Sequence, residues 1–140
     1  MQMPTLATAV LAAALAAKPS EACRCGPSAP ARRLDTEPES AKVQVLVRFL
    51  RWVPSDAAHP TGPAWVEVET KPLRGAGFSR YRWGGSSCDV RLPHEGWFLL
   101  LSDTDPEVGF STCTSSVIPV EEAGPLLERL RRKATPRGKR

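Results

Sequence analysis

The stretch KVQVLVRFLRW, residues 42–52, alternates apolar and polar side chains and is rich in β-branched residues. One face carries Val43, Val45, Val47 and Phe49, and the opposite face carries Gln44 and Arg48. A repeat of two residues is typical of a strand with one buried face. This stretch therefore predicts the strand around which the rest of the fold is built.

Four further strands are predicted towards the C-terminus. Residues 64–71 (AWVEVETK) alternate in the same way, and residues 78–83 (FSRYRW) are predicted to form a short aromatic strand. Residues 96–102 (GWFLLLS) are apolar on both faces, which is typical of a central strand. Residues 108–113 (VGFSTC) are predicted to be the last strand.

Only residues 120–133 (VEEAGPLLERLRRK) have helical periodicity. Acidic residues in the first turn and basic residues in the last turn complement the helix dipole. The apolar face carries Ala123, Leu126, Leu127 and Leu130. Residues 26–40 are rich in proline, serine and charge and are predicted to be irregular. The chain is therefore predicted to be mainly β, a small antiparallel barrel, closed or partly closed, with a C-terminal helix.

The chain has 140 residues, enough for one domain and too few for a large multidomain enzyme. Its net charge of +4 is unevenly placed, because residues 131–140 carry six basic residues and no acidic one. Residues 23–130 carry 12 basic and 14 acidic residues. We therefore assign residues 23–133 to the folded domain and residues 134–140 to a basic, disordered tail.

The N-terminus has the pattern of an export signal. Residues 6–17 are an unbroken apolar run, too short to span a bilayer, and Ser20, Glu21 and Ala22 form a cleavage-type triplet. Residues 1–22 are predicted to be a signal peptide, so that the mature chain begins at Cys23 and is secreted, periplasmic or at the cell surface. A lipid anchor on Cys23 is the alternative, but Ser20 and Glu21 do not suit it.

Export favours disulfides among the four cysteines. Only one residue separates Cys23 from Cys25, which is too close for an unstrained mutual bridge. Each is therefore expected to pair with Cys88 or Cys113, and two pairings remain open. A four-cysteine zinc site is the competing interpretation, but the C-x-x-C halves typical of such sites are missing.

The sequence gives little support for an enzyme. His94 and Glu95 are not followed by the second histidine that the H-E-x-x-H motif requires, and His59 is predicted to lie on the surface, as is His94. No cofactor is expected. Residues 80–83 (RYRW) interleave cations with aromatics, as single-strand-binding surfaces do, but the acidic balance of the domain and its export argue against nucleic acid. We expect a monomer without stable membrane insertion.

Four motifs occur along the mature chain: Cys23-Arg24-Cys25, Ser86-Ser87-Cys88, GWFLL at residues 96–100, and STCTSSVIPVEEA at residues 111–123. Together they resemble the netrin-like module, the family that contains the N-terminal domain of tissue inhibitors of metalloproteinases. The resemblance covers nearly all of the mature chain. It implies a five-stranded OB-type barrel and the pairings Cys23–Cys88 and Cys25–Cys113.

The resemblance also implies a function. The free α-amino group and backbone carbonyl of Cys23 would chelate the catalytic zinc of a metalloprotease, and Arg24 would enter the pocket that selects the residue after the scissile bond. Alongside them, the cleft would be contacted by Cys25, Gly26, Pro27, Ser86 and Ser87. The alternative is a secreted netrin-like binding module that inhibits no protease.

Overall fold

The computed structural model describes residues 23–134. The predicted signal peptide and residues 135–140 of the predicted tail lie outside the described residues. Five strands form one antiparallel sheet: β1 (Val43–Val53), β2 (Ala64–Arg74), β3 (Arg80–Trp83), β4 (Phe98–Ser102) and β5 (Ser115–Pro119). Two α-helices, α1 (Pro30–Thr36) and α2 (Gly124–Ala134), flank it. Two 3₁₀ turns span Pro38–Ser40 and Val120–Glu122.

The sheet is ordered β3-β2-β1-β4-β5, so β1 is the central strand. It pairs with β2 from Gln44 to Val53, and its first half, from Val43 to Val47, pairs with β4. Two cores form on opposite faces of this sheet. The inner core contains Val45, Val47, Val66, Val68, Tyr81, Phe98, Leu100 and Phe110. The outer core contains Leu34, Leu99, Leu101, Ala123, Leu127 and Leu130.

The prediction that β4 is buried on both faces is confirmed. Phe98 and Leu100 point into the inner core, whereas Leu99 and Leu101 pack beneath the helices. Every residue of β4 is buried. The residues of β4 do not alternate between apolar and polar, because apolar layers cover both sides of the strand.

The predicted strand at residues 108–113 is wrong, and the fifth strand lies at Ser115–Pro119. Gly109 has a positive φ of 98°, and a Cβ there would lie 2.7 Å from the carbonyl oxygen of Arg82. The chain therefore turns where the prediction placed a strand, and only a single bridge joins Ser111 to Asp89. Phe110 is a loop residue that is buried in the inner core, and its apolar side chain made the segment resemble a strand in the sequence.

The prediction that residues 26–40 are irregular is also wrong in part, because α1 lies within them. Pro30 begins the helix, where a missing N–H costs nothing, and Leu34 is buried against the outer core. The C-terminal helix exists as predicted but begins at Gly124, after the 3₁₀ turn. Pro125 thus lies in the first turn, where proline is tolerated.

The sheet is open, with β3 and β5 at its edges. The gap between them is bridged by backbone hydrogen bonds rather than by a regular ladder. Val90 N–H donates to Phe110 O at 2.9 Å, and Thr112 N–H donates to Cys88 O at 2.7 Å. The mainly β prediction with a C-terminal helix is confirmed, and the barrel is one whose last seam is made by loops. Among residues 23–134, no helix is both long and apolar enough to cross a membrane.

Candidate functional site: the disulfide-held ridge

Two disulfides fix the start of the described chain. Cys23 pairs with Cys88 at a Cα–Cα distance of 5.1 Å, and Cys25 pairs with Cys113 at 5.3 Å. This is the pairing that the resemblance implied, and it decides between the two possibilities left open by the spacing. Since all four cysteines are paired, none offers a thiolate for the alternative zinc site.

The two disulfides lie side by side. The Sγ atoms of Cys23 and Cys113 are 3.8 Å apart, and Cys23 Sγ lies 3.2 Å from the hydroxyl oxygen of Thr112. The loops that carry Cys88 and Cys113 are themselves joined by the Thr112–Cys88 backbone hydrogen bond. Residues 23–27, which we call the amino-terminal ridge, therefore rest on a cross-linked base at the seam of the barrel.

The ridge presents its intervening side chain to solvent. Arg24 is exposed, and so are Gly26 and Pro27, while Cys23 and Cys25 are half-buried. Arg24 makes no ion pair with any carboxylate of residues 23–134. Within the described part of the chain, its guanidinium is thus a cation without an ion-pair partner, held between two anchored cysteines.

The far side of the ridge leads directly into α1. Ala29 N–H donates to Gly26 O at 3.1 Å, and Ala31 N–H donates to Cys113 O at 2.9 Å. The second bond ties the start of α1 to the same loop that holds Cys25. Residues 23–31 are therefore restrained by backbone bonds as well as by sulfur.

A tight turn at Ser86 and Ser87 flanks the ridge, because Cys88 follows it and is bonded to Cys23. Asp89 accepts a hydrogen bond from Ser86 N–H at 2.6 Å, and the Ser86 hydroxyl accepts one from Cys88 N–H at 3.1 Å. Both serines are exposed. Disulfide connectivity and sequence adjacency thus gather all the predicted contact residues into one region, and their roles towards a protease stay predictions.

Sequence reasoning missed two supporting residues, Asp89 and Thr112. Asp89 closes the Ser86 turn, and Thr112 lies against Cys23 and bonds the two cysteine loops together. The only available signal was that each adjoins a cysteine in the sequence. The loops that carry Cys88 and Cys113 meet through the bridge between residues 89 and 111, and no sequence motif indicates that bridge.

If the chain begins at Cys23, the ridge ends in an α-amine with a pKa of about 8 in ordinary surroundings. In that case the amine nitrogen and the Cys23 carbonyl oxygen would be the two donors of a five-membered chelate with a metal ion. Both are backbone atoms, so the chelate would need no side-chain chemistry. All four cysteines are in disulfides, so no thiolate of residues 23–134 competes with these two donors for a metal ion.

Comparison with known proteins found no matching family model, no matching curated protein and no matching solved structure. Within residues 23–134, the ridge provides a restrained backbone and one cation without an ion-pair partner, and the neighbouring turn provides two exposed serines.

Proposed function

We propose that the mature chain, beginning at Cys23, is a secreted inhibitor of zinc metalloproteases that chelates the catalytic zinc through the Cys23 α-amine and carbonyl. The observation that carries the proposal is the double anchoring of the ridge, with Cys23 and Cys25 both bonded to the seam and Arg24 exposed between them. Chelation displaces the zinc-bound water that would attack a substrate.

The ridge is rigid, and a rigid segment supports this proposal better than a flexible terminus would. A short segment that is already fixed loses little conformational entropy on binding, so more of its contact energy appears as affinity. Arg24 is also exposed on the ridge, as a side chain that enters a protease pocket must be. The serines at 86 and 87 flank it and widen the contact surface.

The charge of Arg24 restricts which metalloproteases the chain is proposed to inhibit. A guanidinium loses much hydration when it enters an apolar pocket, and this cost is recovered only where a carboxylate or open water meets it. The proposed target is therefore a metalloprotease whose pocket for the residue after the scissile bond is acidic or open. Deep apolar pockets are disfavoured.

The decisive experiment compares two forms of the exported protein against a panel of zinc proteases. One form has Cys23 as its N-terminal residue, verified by N-terminal sequencing, and the other carries one additional alanine before it. We expect the extension to raise the inhibition constant at least about 100-fold, because an acylated nitrogen is a poor metal ligand. Equal inhibition by both forms, or no inhibition by the native form, would contradict the proposal.

A pair of arginine variants tests the role of the side chain. Arg24→Ala should change the order of preference among the proteases while retaining chelation. Arg32→Ala is the matched control, because Arg32 is an exposed arginine on α1. An unchanged preference order in Arg24→Ala would remove Arg24 from the contact surface.

The second candidate function is a secreted netrin-like binding module without inhibitory activity. Arg24 favours this second function, because placing its guanidinium in an apolar protease pocket would cost hydration free energy. Binding by such a module would not depend on a free amine. The alanine-extended form therefore separates the two functions, since it would keep its partner only in the second case.

A further inference from the structure

A cavity of about 310 Å³ opens on the inner face of the sheet, next to the second half of β1. Its walls are formed mainly by aromatic and cationic side chains: Phe49, Trp52, Tyr81, Trp83, Arg91 and His94. We call it the aromatic pocket. None of these residues belongs to the amino-terminal ridge.

A β-bulge creates the pocket. Phe49 pairs with Val68 and Arg51 pairs with Glu67, so Leu50 is an additional residue in β1. On a regular strand, residues 49 and 52 would point to opposite faces. The bulge reverses the alternation, and as a result Trp52 faces the same side as Phe49.

The aromatic rings are held in defined contacts. Trp52 meets Trp83 edge to face, with ring centroids 5.5 Å apart, and Phe49 stacks on the imidazole of His94 at 4.4 Å. Trp52 nevertheless remains 45% exposed. An apolar surface of this kind that is ordered by its neighbours and still open to solvent is typical of a ligand site.

The charge of the pocket is one-sided. The Arg91 guanidinium lies over the ring of Trp83, 5.4 Å from its centroid, which orients it at the rim. Arg91 makes no ion pair with a carboxylate of residues 23–134, and no acidic residue lines the pocket. Among the described residues that line the pocket, the fixed charge that faces a ligand is therefore positive.

We propose that the aromatic pocket binds a small aromatic carboxylate. The ring system would lie against Trp52 and Phe49, and the carboxylate would accept hydrogen bonds from the Arg91 guanidinium, whose planar fork suits that group. The volume is at the lower end of known ligand pockets, which fits a molecule of one or two rings.

The test uses 2-naphthoate as the probe and 2-naphthalenemethanol, which has the same rings without the charge, as its neutral counterpart. Isothermal titration calorimetry on the mature chain should show 2-naphthoate binding at least about tenfold more tightly than the alcohol. Indole N–H resonances of Trp52 and Trp83 should shift on binding, and those of Trp65 and Trp97 should not.

Two arginine variants identify the cation. Arg91→Gln should remove the preference for naphthoate, whereas Arg82→Gln, an exposed arginine of β3 outside the pocket, should change the affinity less than about twofold. Near-ultraviolet circular dichroism verifies that both variants are folded. Absence of naphthoate binding, equal affinity for acid and alcohol, or an unaffected Arg91→Gln variant would each overturn the proposal. None of these outcomes depends on the α-amine of Cys23, so the pocket and the ridge fail or succeed separately.

Discussion

Tyr81 shows how a single residue ties the pocket wall to the core. Its ring is 2% exposed, and its hydroxyl donates to the carbonyl oxygen of Val90 at 3.1 Å. Burial, with a smaller contribution from the negative charge of Asp89, raises the pKa of Tyr81 above its ordinary value. The folded state therefore holds the phenolic proton more tightly than the unfolded chain does.

We expect the native protein to resist tyrosine ionisation between about pH 10 and 11, where an unfolded tyrosine titrates. Below the unfolded pKa the stabilisation is complete, and it is lost as the pH rises towards the raised folded pKa. Absorbance at 295 nm reports this residue alone, because the chain contains one tyrosine. A native titration midpoint that coincides with the midpoint in urea would refute the assignment.

At the scale of elements, α2 acts as a cover for the outer face of the sheet. Leu127 and Leu130 are buried in the outer core with Leu99 and Leu101 of β4. An ion pair between α2 and the Pro38–Ser40 turn reinforces this contact. In it, Arg129 donates two hydrogen bonds to the carboxylate of Glu39, at 2.6 and 2.9 Å. A hydrogen bond to its own backbone, followed by the bonds from Arg129, lowers the pKa of the Glu39 carboxyl group.

Leu130→Ala should destabilise the protein by about 2–5 kcal/mol, because it removes buried methyl groups and leaves a cavity. Glu128→Ala on the exposed side of the same helix is the control and should cost less than about 0.5 kcal/mol. Urea unfolding followed by circular dichroism measures both. A Leu130→Ala variant as stable as the control would mean that α2 is not a structural cover.

The elements that could be predicted were those with a strong local pattern. Alternation identified β1 and β2, an uninterrupted apolar run identified β4, and helical spacing identified α2. The fifth strand was misplaced because a buried Phe110 in a loop looks the same in sequence as a strand residue. Helix α1 was missed because proline-rich composition hid a seven-residue helix that is stabilised by packing of Leu34.

One of the two candidate sites could be predicted from the sequence and the other could not. The residues of the ridge could be chosen from the sequence through the family resemblance, because they include Cys23 and Cys25 and the residues that directly follow them. The aromatic pocket could not be predicted, since it depends on a bulge at Leu50 and on the return of residues 91–94 to β1. Both are properties of pairing register, which a single sequence does not encode in any short motif.

At the scale of the whole molecule, the disulfides connect the first described residues to the latter half of the chain, with sequence separations of 65 and 88 residues. Closing loops of this length restricts the unfolded chain strongly. The same bonds hold the ridge. Stability and the proposed function therefore depend on one set of covalent links.

The double variant Cys25→Ser/Cys113→Ser should lose about 4 kcal/mol of unfolding free energy in the chain-entropy description. The matched variant Cys23→Ser/Cys88→Ser keeps the α-amine but releases residue 23, so we expect weaker protease inhibition in addition to lower stability. Urea unfolding and the inhibition assay measure the two effects. Full inhibition by a folded Cys23→Ser/Cys88→Ser variant would mean that the ridge needs no anchoring.

The open sheet has one more consequence, for behaviour at high concentration. Unpaired strand edges can recruit other chains and start aggregation. Here the β3 edge is four residues long, carries Arg80 and Arg82, and gives one backbone N–H to Pro106, while the β5 edge ends in Pro119. Short edges with cations and a proline are poor templates for strand addition, so both edges of the open sheet oppose polymerisation of the protein through its own strands.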